Sequence, residues 1–107
     1  ERLLADEPVC EACYIWASYD GKVIFRPRTA VDVHELVSRG RGGSILDESN
    51  LLVVCRPCHT RITQNPTESE FCGLALPSWT NPDILREAEL RRDHLSAGEP
   101  ISPPSWL

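Results

Sequence analysis

Leu51 to Pro66 reads "LLVVCRPCHTRITQNP", and the fold turns on how that stretch divides. Four apolar residues, two of them β-branched, have the length and composition of a short buried strand. "CRPCHTRITQNP" then reads as a helix: Pro57 suits a first turn, where its missing N–H would be unpaired anyway, and Asn65-Pro66 ends it. The C-x-x-C of Cys55 and Cys58 sits at the junction, with His59 directly behind it in the first helical turn. Its side chain must point away from Cys58, toward whatever the preceding strand presents.

Working outward, a second C-x-x-C, "CEAC", places Cys10 and Cys13 well upstream. Two such knuckles in a small chain match tetrahedral thiolate coordination, because each short turn aims two sulfurs at one point about 2.3 Å from a metal. Something folded must sit between them, since their separation exceeds the usual ribbon spacing. Rival readings fit less well. A disulfide framework sits badly with five cysteines, and Cys72 reads as a small buried hydrophobe. A thioredoxin-like redox pair lacks its βαβ surroundings. "CRPCH" also matches covalent c-type haem attachment, but that reading leaves Cys10 and Cys13 idle, and the chain has no Met to serve as axial ligand. Structural zinc on Cys10, Cys13, Cys55 and Cys58 is the expectation.

A staple of that kind answers a need. The 107 residues suffice for one domain, or a small domain with an arm, and build only a thin hydrophobic core. The net charge of −5 speaks against a chain coated in positive charge for nucleic acid. Its distribution is uneven, however. Residues 26–61 carry six Arg against Asp32, Glu35, Asp47 and Glu48, the only net positive part of the chain. No apolar run approaches the ~20 residues needed to span a bilayer, so a soluble, cytoplasmic protein without membrane contact is expected.

Within that positive segment, "AVDVHELV" alternates, with Val31, Val33 and Val37 on one face and Asp32, His34 and Leu36 on the other, the pattern of a strand. "SRGRGGSILDESN" is a loop by composition. Further upstream, "YIWASYDGKVIF" carries Asp20-Gly21 between aromatic and β-branched runs, which predicts a hairpin. Near the other end, "NPDILREAELRRDHLSAG" predicts a helix over 82–97, with Asn81 as N-cap, Pro82 at the first position and Gly98 as the stop. His94 there reads as a favourable partner of the helix dipole, and "SPPSWL" as a flexible end whose Trp106 makes a packing contact.

"VHELVSRGRGG", then "ESNLLVVCRPCHTRI", framed by the two C-x-x-C pairs, resembles the zinc-containing HNH endonuclease family. The likeness covers roughly residues 9–63. It implies a small α+β fold: a ββα-metal unit over residues 1–66, stapled by a structural zinc on the four knuckle cysteines, with a C-terminal helical arm over 67–107. It also implies DNA as the substrate, cut or nicked to 5′-phosphate and 3′-hydroxyl ends. A catalytic divalent metal (Mg²⁺, Mn²⁺, Ni²⁺ or Zn²⁺) is implied with it, and phage proteins of this kind extend the expected partners to terminase subunits.

His34, Asn50 and His59 would supply the family's three letters. The family's helix His binds the catalytic metal, a role that passes to His59, and its Asn orders the loop, a role that passes to Asn50. A plain turn or cap role for Asn50 is compatible with that. Where the family has Asp-His or His-His, this chain has His34-Glu35, so two assignments stand. In one, His34 binds metal with His59 and Glu35 takes the proton from water. In the other, His34 is the base, and Asp32 or water completes the metal shell. Arg39 and Arg41 on the loop, with Arg56 and Arg61 on the helix, are candidate phosphate contacts without any base-reading code. The departure from the family pair keeps a different class open, a non-catalytic zinc module that binds DNA or a protein.

Overall fold

The computed structural model describes residues 2–24, 26–37 and 48–107, which form a small α+β unit. In chain order it has α1 (Cys13–Tyr19), β1 (Asp32–Glu35), β2 (Leu51–Val54), α2 (Arg56–Gln64), α3 (Pro66–Phe71) and α4 (Pro82–Ser96). The two strands pair antiparallel, with Asp32 opposite Val54 and His34 opposite Leu52. The expected strand, strand and helix in "AVDVHELV", "LLVV" and "CRPCHTRI" are all present.

The hairpin is not. "YIWASY" forms α1, and Asp20-Gly21 ends that helix instead of turning a ribbon. Ala12, Ile15 and Trp16 are buried at the i, i+3, i+4 spacing of a helix face, and the Cys10-Cys13 knuckle launches the first turn. Gly21 has φ +70, and the Gly21 and Lys22 N–H groups donate to Ser18 and Ala17 carbonyls at 3.1 and 2.8 Å. That double bond pattern is the left-handed helix stop. Gly21 supplies the positive φ that a hairpin turn and a helix stop both use, so local chemistry alone did not separate them.

The first knuckle is sewn to the sheet. Glu11 N–H donates to the Val53 carbonyl at 2.9 Å, and Val53 N–H donates to the Glu11 carboxylate at 2.7 Å. Cys10 N–H donates to the Arg28 carbonyl at 2.8 Å, beside an antiparallel bridge between Val9 and Thr29. The buried side of β1 is the one carrying His34 and Leu36, while Val31 stays half exposed, because α2 closes over that side.

One apolar cluster then runs through Ile15 and Trp16 of α1, Leu52 and Val54 of β2, Ile62 of α2, and on to Leu74, Leu76, Ala88 and Leu95. Residues beyond 66 therefore share the core of the N-terminal part. α4 begins as the sequence predicts, with the Asn81 side chain accepting from Ile84 N–H at 2.9 Å and Pro82 in the first turn. The end expected to be flexible packs down: Trp106 is buried, and Ser105 N–H and Oγ both donate to Glu87. The indole of Trp106 and the two hydrogen bonds to Glu87 hold this end against the ordering entropy. Among the described residues, no helix is long and apolar enough to cross a membrane.

Candidate metal centre and histidine pair

Cys10 and Cys13 arrive on the turn into α1, Cys55 and Cys58 on the turn from β2 into α2. Their four sulfurs lie within 4.8 Å of one another, and no disulfide joins them. Cys13 Sγ stands 3.9 Å from both Cys55 Sγ and Cys58 Sγ. Sulfurs arranged tetrahedrally at about 2.3 Å around one zinc would stand about 3.8 Å apart, so the cluster fits that ion. Ala12 N–H approaches Cys10 Sγ at 3.3 Å and Arg28 N–H approaches Cys13 Sγ at 3.5 Å, the backbone donors that stabilise thiolates. Hydrogen bonding from Cys58 pulls the Cys10 thiol down to about 5, while burial pushes Cys13 up to about 11. Four thiols this close cannot all ionise without a cation among them.

On the other side of α2, His59 reaches back to β1, as its place behind Cys58 requires. Its Nδ1 lies 3.2 Å from Asp32 Oδ2, and its ring meets that of His34 at 5.3 Å between centroids, edge to face. Asp32 and His34 are two apart on the strand and so share a face. The Asp32 carboxylate is also gripped by Arg56, Nε to Oδ2 at 2.8 Å and Nη2 to Oδ1 at 3.1 Å, and that guanidinium holds its pKa below the usual range.

His34 is 8% exposed, and burial lowers its pKa, which favours the neutral ring. Its Nε2 lies 2.6 Å from the Leu74 carbonyl oxygen. A carbonyl only accepts, so Nε2 carries the proton and Nδ1 keeps its lone pair. A carboxylate likewise only accepts, so His59 Nδ1 donates to Asp32 and Nε2 is left outside that bond. Each imidazole thus has one nitrogen anchored by a hydrogen bond, the arrangement that orients metal-ligating histidines. Two imidazoles on one ion at about 2.0–2.1 Å would put their centroids about 5 Å apart, close to the spacing observed.

Glu35 borders an open cleft of ≈260 Å³ together with His34, Thr63, Pro66 and Glu70. A larger hollow of ≈500 Å³ beside α4, lined by Ser49, Pro82, Leu85 and Leu90 among others, has no histidine or cysteine among the described residues of its wall. Asn50 is buried and pins the exit of β1 twice: its Oδ1 accepts from Val37 N–H at 2.8 Å and its Nδ2 donates to the Val37 carbonyl at 2.9 Å. These two bonds fix the chain as it leaves β1, the plain structural role the sequence allowed for Asn50.

The four candidate phosphate contacts fare differently. Arg39 and Arg41 lie outside the described residues. Arg56 is largely exposed beside the histidines but is held by Asp32. Arg61 is turned away to Asp20, with two bonds of 2.7 Å, and lies 3.9 Å over the Trp16 ring. Both partners belong to the helix that forms where a hairpin was expected, Trp16 within α1 and Asp20 as its C-cap. Among the described residues, the cysteine cluster alone brings three or more His, Cys, Asp or Glu ligand atoms within 4.8 Å. His34 and His59 are a pair, not a closed cage.

Sequence reasoning missed the Leu74 carbonyl, a backbone atom with no residue signature. It gave Asp32 only a secondary part. No protein-family model, curated protein or solved structure matches the chain.

Proposed function

We propose that this protein is a metal-dependent endonuclease of the HNH type, a ββα-metal unit stapled by structural zinc, which hydrolyses DNA phosphodiester bonds. The observation that carries the reading is the histidine pair. His34 from β1 and His59 from α2 meet at 5.3 Å, and each is anchored on one nitrogen so that the other is free to coordinate.

In this reading His34 and His59 hold a divalent ion of the Mg²⁺, Mn²⁺, Ni²⁺ or Zn²⁺ class. When bound, that ion supplies positive charge for the scissile phosphate and the departing oxygen. Glu35, which shares a cleft with His34, takes one proton from the attacking water. The water oxygen bonds to phosphorus, the bond from phosphorus to the 3′ oxygen breaks, and that oxygen takes a proton from solvent. The products are a 5′-phosphate and a 3′-hydroxyl. Arg56, exposed and paired with Asp32, would meet a neighbouring phosphate, with DNA held chiefly through its backbone. Cytoplasmic phage or prophage DNA, with terminase subunits as partners, is the setting the family resemblance suggests.

A second assignment within the same reaction is favoured by one contact, Asp32 at 3.2 Å from His59. Asp32 and His59 would then hold the ion and His34 would act as the base. Supercoiled plasmid incubated with Mg²⁺, Mn²⁺ or Ni²⁺ tests both. Wild type should nick, and His59→Ala should not. Glu35→Gln losing more than about 100-fold, the lower range for a general base, favours the first assignment. Near-normal Glu35→Gln with a dead Asp32→Asn favours the second. No nicking by wild type with any of the metals leaves a zinc module that binds without cutting.

A further inference from the structure

We propose that the C-terminal arm completes the histidine site: Arg92 and the Gly73-Leu74 turn are positioning residues that hold the Leu74 carbonyl against His34 and so set its tautomer. The inference rests on the reading of His34 as a working histidine. It goes beyond that reading, because the HNH-like stretch ends well before Leu74.

The placement of Leu74 is built in steps. α3 closes with the left-handed stop, Gly73 N–H donating to Glu70 O at 3.1 Å and Leu74 N–H to Ser69 O at 2.8 Å. Gly73 has φ +77, and a Cβ there would come within 2.8 Å of the Ala88 carbonyl oxygen. Only glycine therefore lets the turn lie directly against α4. One helical turn beyond Ala88, Arg92 Nη1 donates to the Gly73 carbonyl at 2.6 Å. Arg91 beside it donates to the Phe71 carbonyl, Nε at 2.9 Å, and to the Ser102 carbonyl at 2.6 Å. On the far side, Leu76 N–H donates to Leu36 O at 2.8 Å, two residues beyond His34. Leu74 is thus tied to α4 before it and to the exit of β1 after it.

Its carbonyl accepts from His34 Nε2 at 2.6 Å. A free neutral imidazole exchanges its proton between two nitrogens. Fixing it on Nε2 keeps Nδ1 bare in the metal-free protein, whether Nδ1 then binds an ion or takes a proton. The arm supplies no group to the reaction, and its contribution is the state in which His34 waits.

Long-range ¹H–¹⁵N spectra of the zinc-loaded full chain, without added divalent metal, read the tautomer directly. Wild type should show His34 as a single Nε2–H form. Arg92→Ala should show mixed tautomers and a rise of roughly 10-fold or more in the Mn²⁺ concentration for half-maximal nicking, the scale of a lost outer-shell partner. Arg92→Lys, which restores a donor, should recover both. Zinc content and far-UV spectrum report folding for each variant. An Nδ1–H or freely exchanging His34 in wild type overturns the proposal without need of any variant. So does a folded Arg92→Ala with unchanged tautomer and metal requirement. The tautomer readout needs no cleavage, so a wild type that fails to nick sinks the nuclease reading while leaving this one to its own spectra.

Discussion

The two faces of α2 carry two different side-chain clusters. On one, four sulfurs converge within 4.8 Å, two from each knuckle, with backbone N–H groups on Cys10 and Cys13. On the other, two imidazoles meet at 5.3 Å, and one of them, His34, lines an open cleft. A closed tetrahedral set leaves an ion no free position, so its binding energy goes into the fold. An open pair leaves positions for water and phosphate, so the same kind of bond can go into chemistry. The adjacent residues Cys58 and His59 are split between the two by the pitch of one helix. The contrast predicts that damage on the first side destroys structure and damage on the second leaves structure intact.

The largest effect should come from Cys58→Ser. It should abolish the stoichiometric zinc and with it the cooperative thermal transition, because structural zinc at neutral pH contributes on the order of 10 kcal/mol in small domains. Zinc analysis and circular dichroism would check it, and a Cys58→Ser protein that melts like wild type would remove the staple. Acid should act in the same direction, since protons compete with the metal for thiolates.

His59→Ala marks the opposite limit. Plasmid nicking should fall at least about 100-fold while zinc content and melting temperature stay within a few degrees of wild type. A large fall in melting temperature would mean that the two sides are not separable. Asn50→Ala should fall between them. It strips two hydrogen bonds from buried Val37 and should cost about 1–3 kcal/mol in urea unfolding, with reduced nicking as the chain leaving β1 loosens.

The smallest effect should be Asp20→Asn, which removes the pair with Arg61. Both side chains are partly exposed, so the loss should be no more than about 1 kcal/mol. Arg61 holds the Asp20 pKa below its usual value, so the pair's stabilisation is present above the usual carboxylate range and disappears as pH falls through the lowered value. The stability difference between wild type and Asp20→Asn should therefore shrink in acid. A difference that grew there would contradict the pairing.

The cysteine centre was the more legible of the two sides. Knuckle spacing is a local property, and two knuckles of the right kind leave few ways to arrange four sulfurs. β1, β2, α2 and the capped α4 were legible for similar reasons, from period, proline and cap residues. α1 was not, because Asp20-Gly21 satisfies a hairpin turn and a helix stop equally well, and only packing of Ile15 and Trp16 chose between them. Trp106 illustrates the same limit, since a terminal indole shows in sequence only that it wants burial.

By itself, then, the sequence determined the two cysteine knuckles and the strand and helix that carry His34 and His59. Tertiary structure decided what holds those side chains. His34 is anchored by the Leu74 carbonyl, His59 by Asp32, and Arg61 is drawn off to Asp20. These are contacts between atoms distant in sequence, one of them a backbone oxygen every residue possesses, and the packing of α4 against the Gly73 turn brings that oxygen into place.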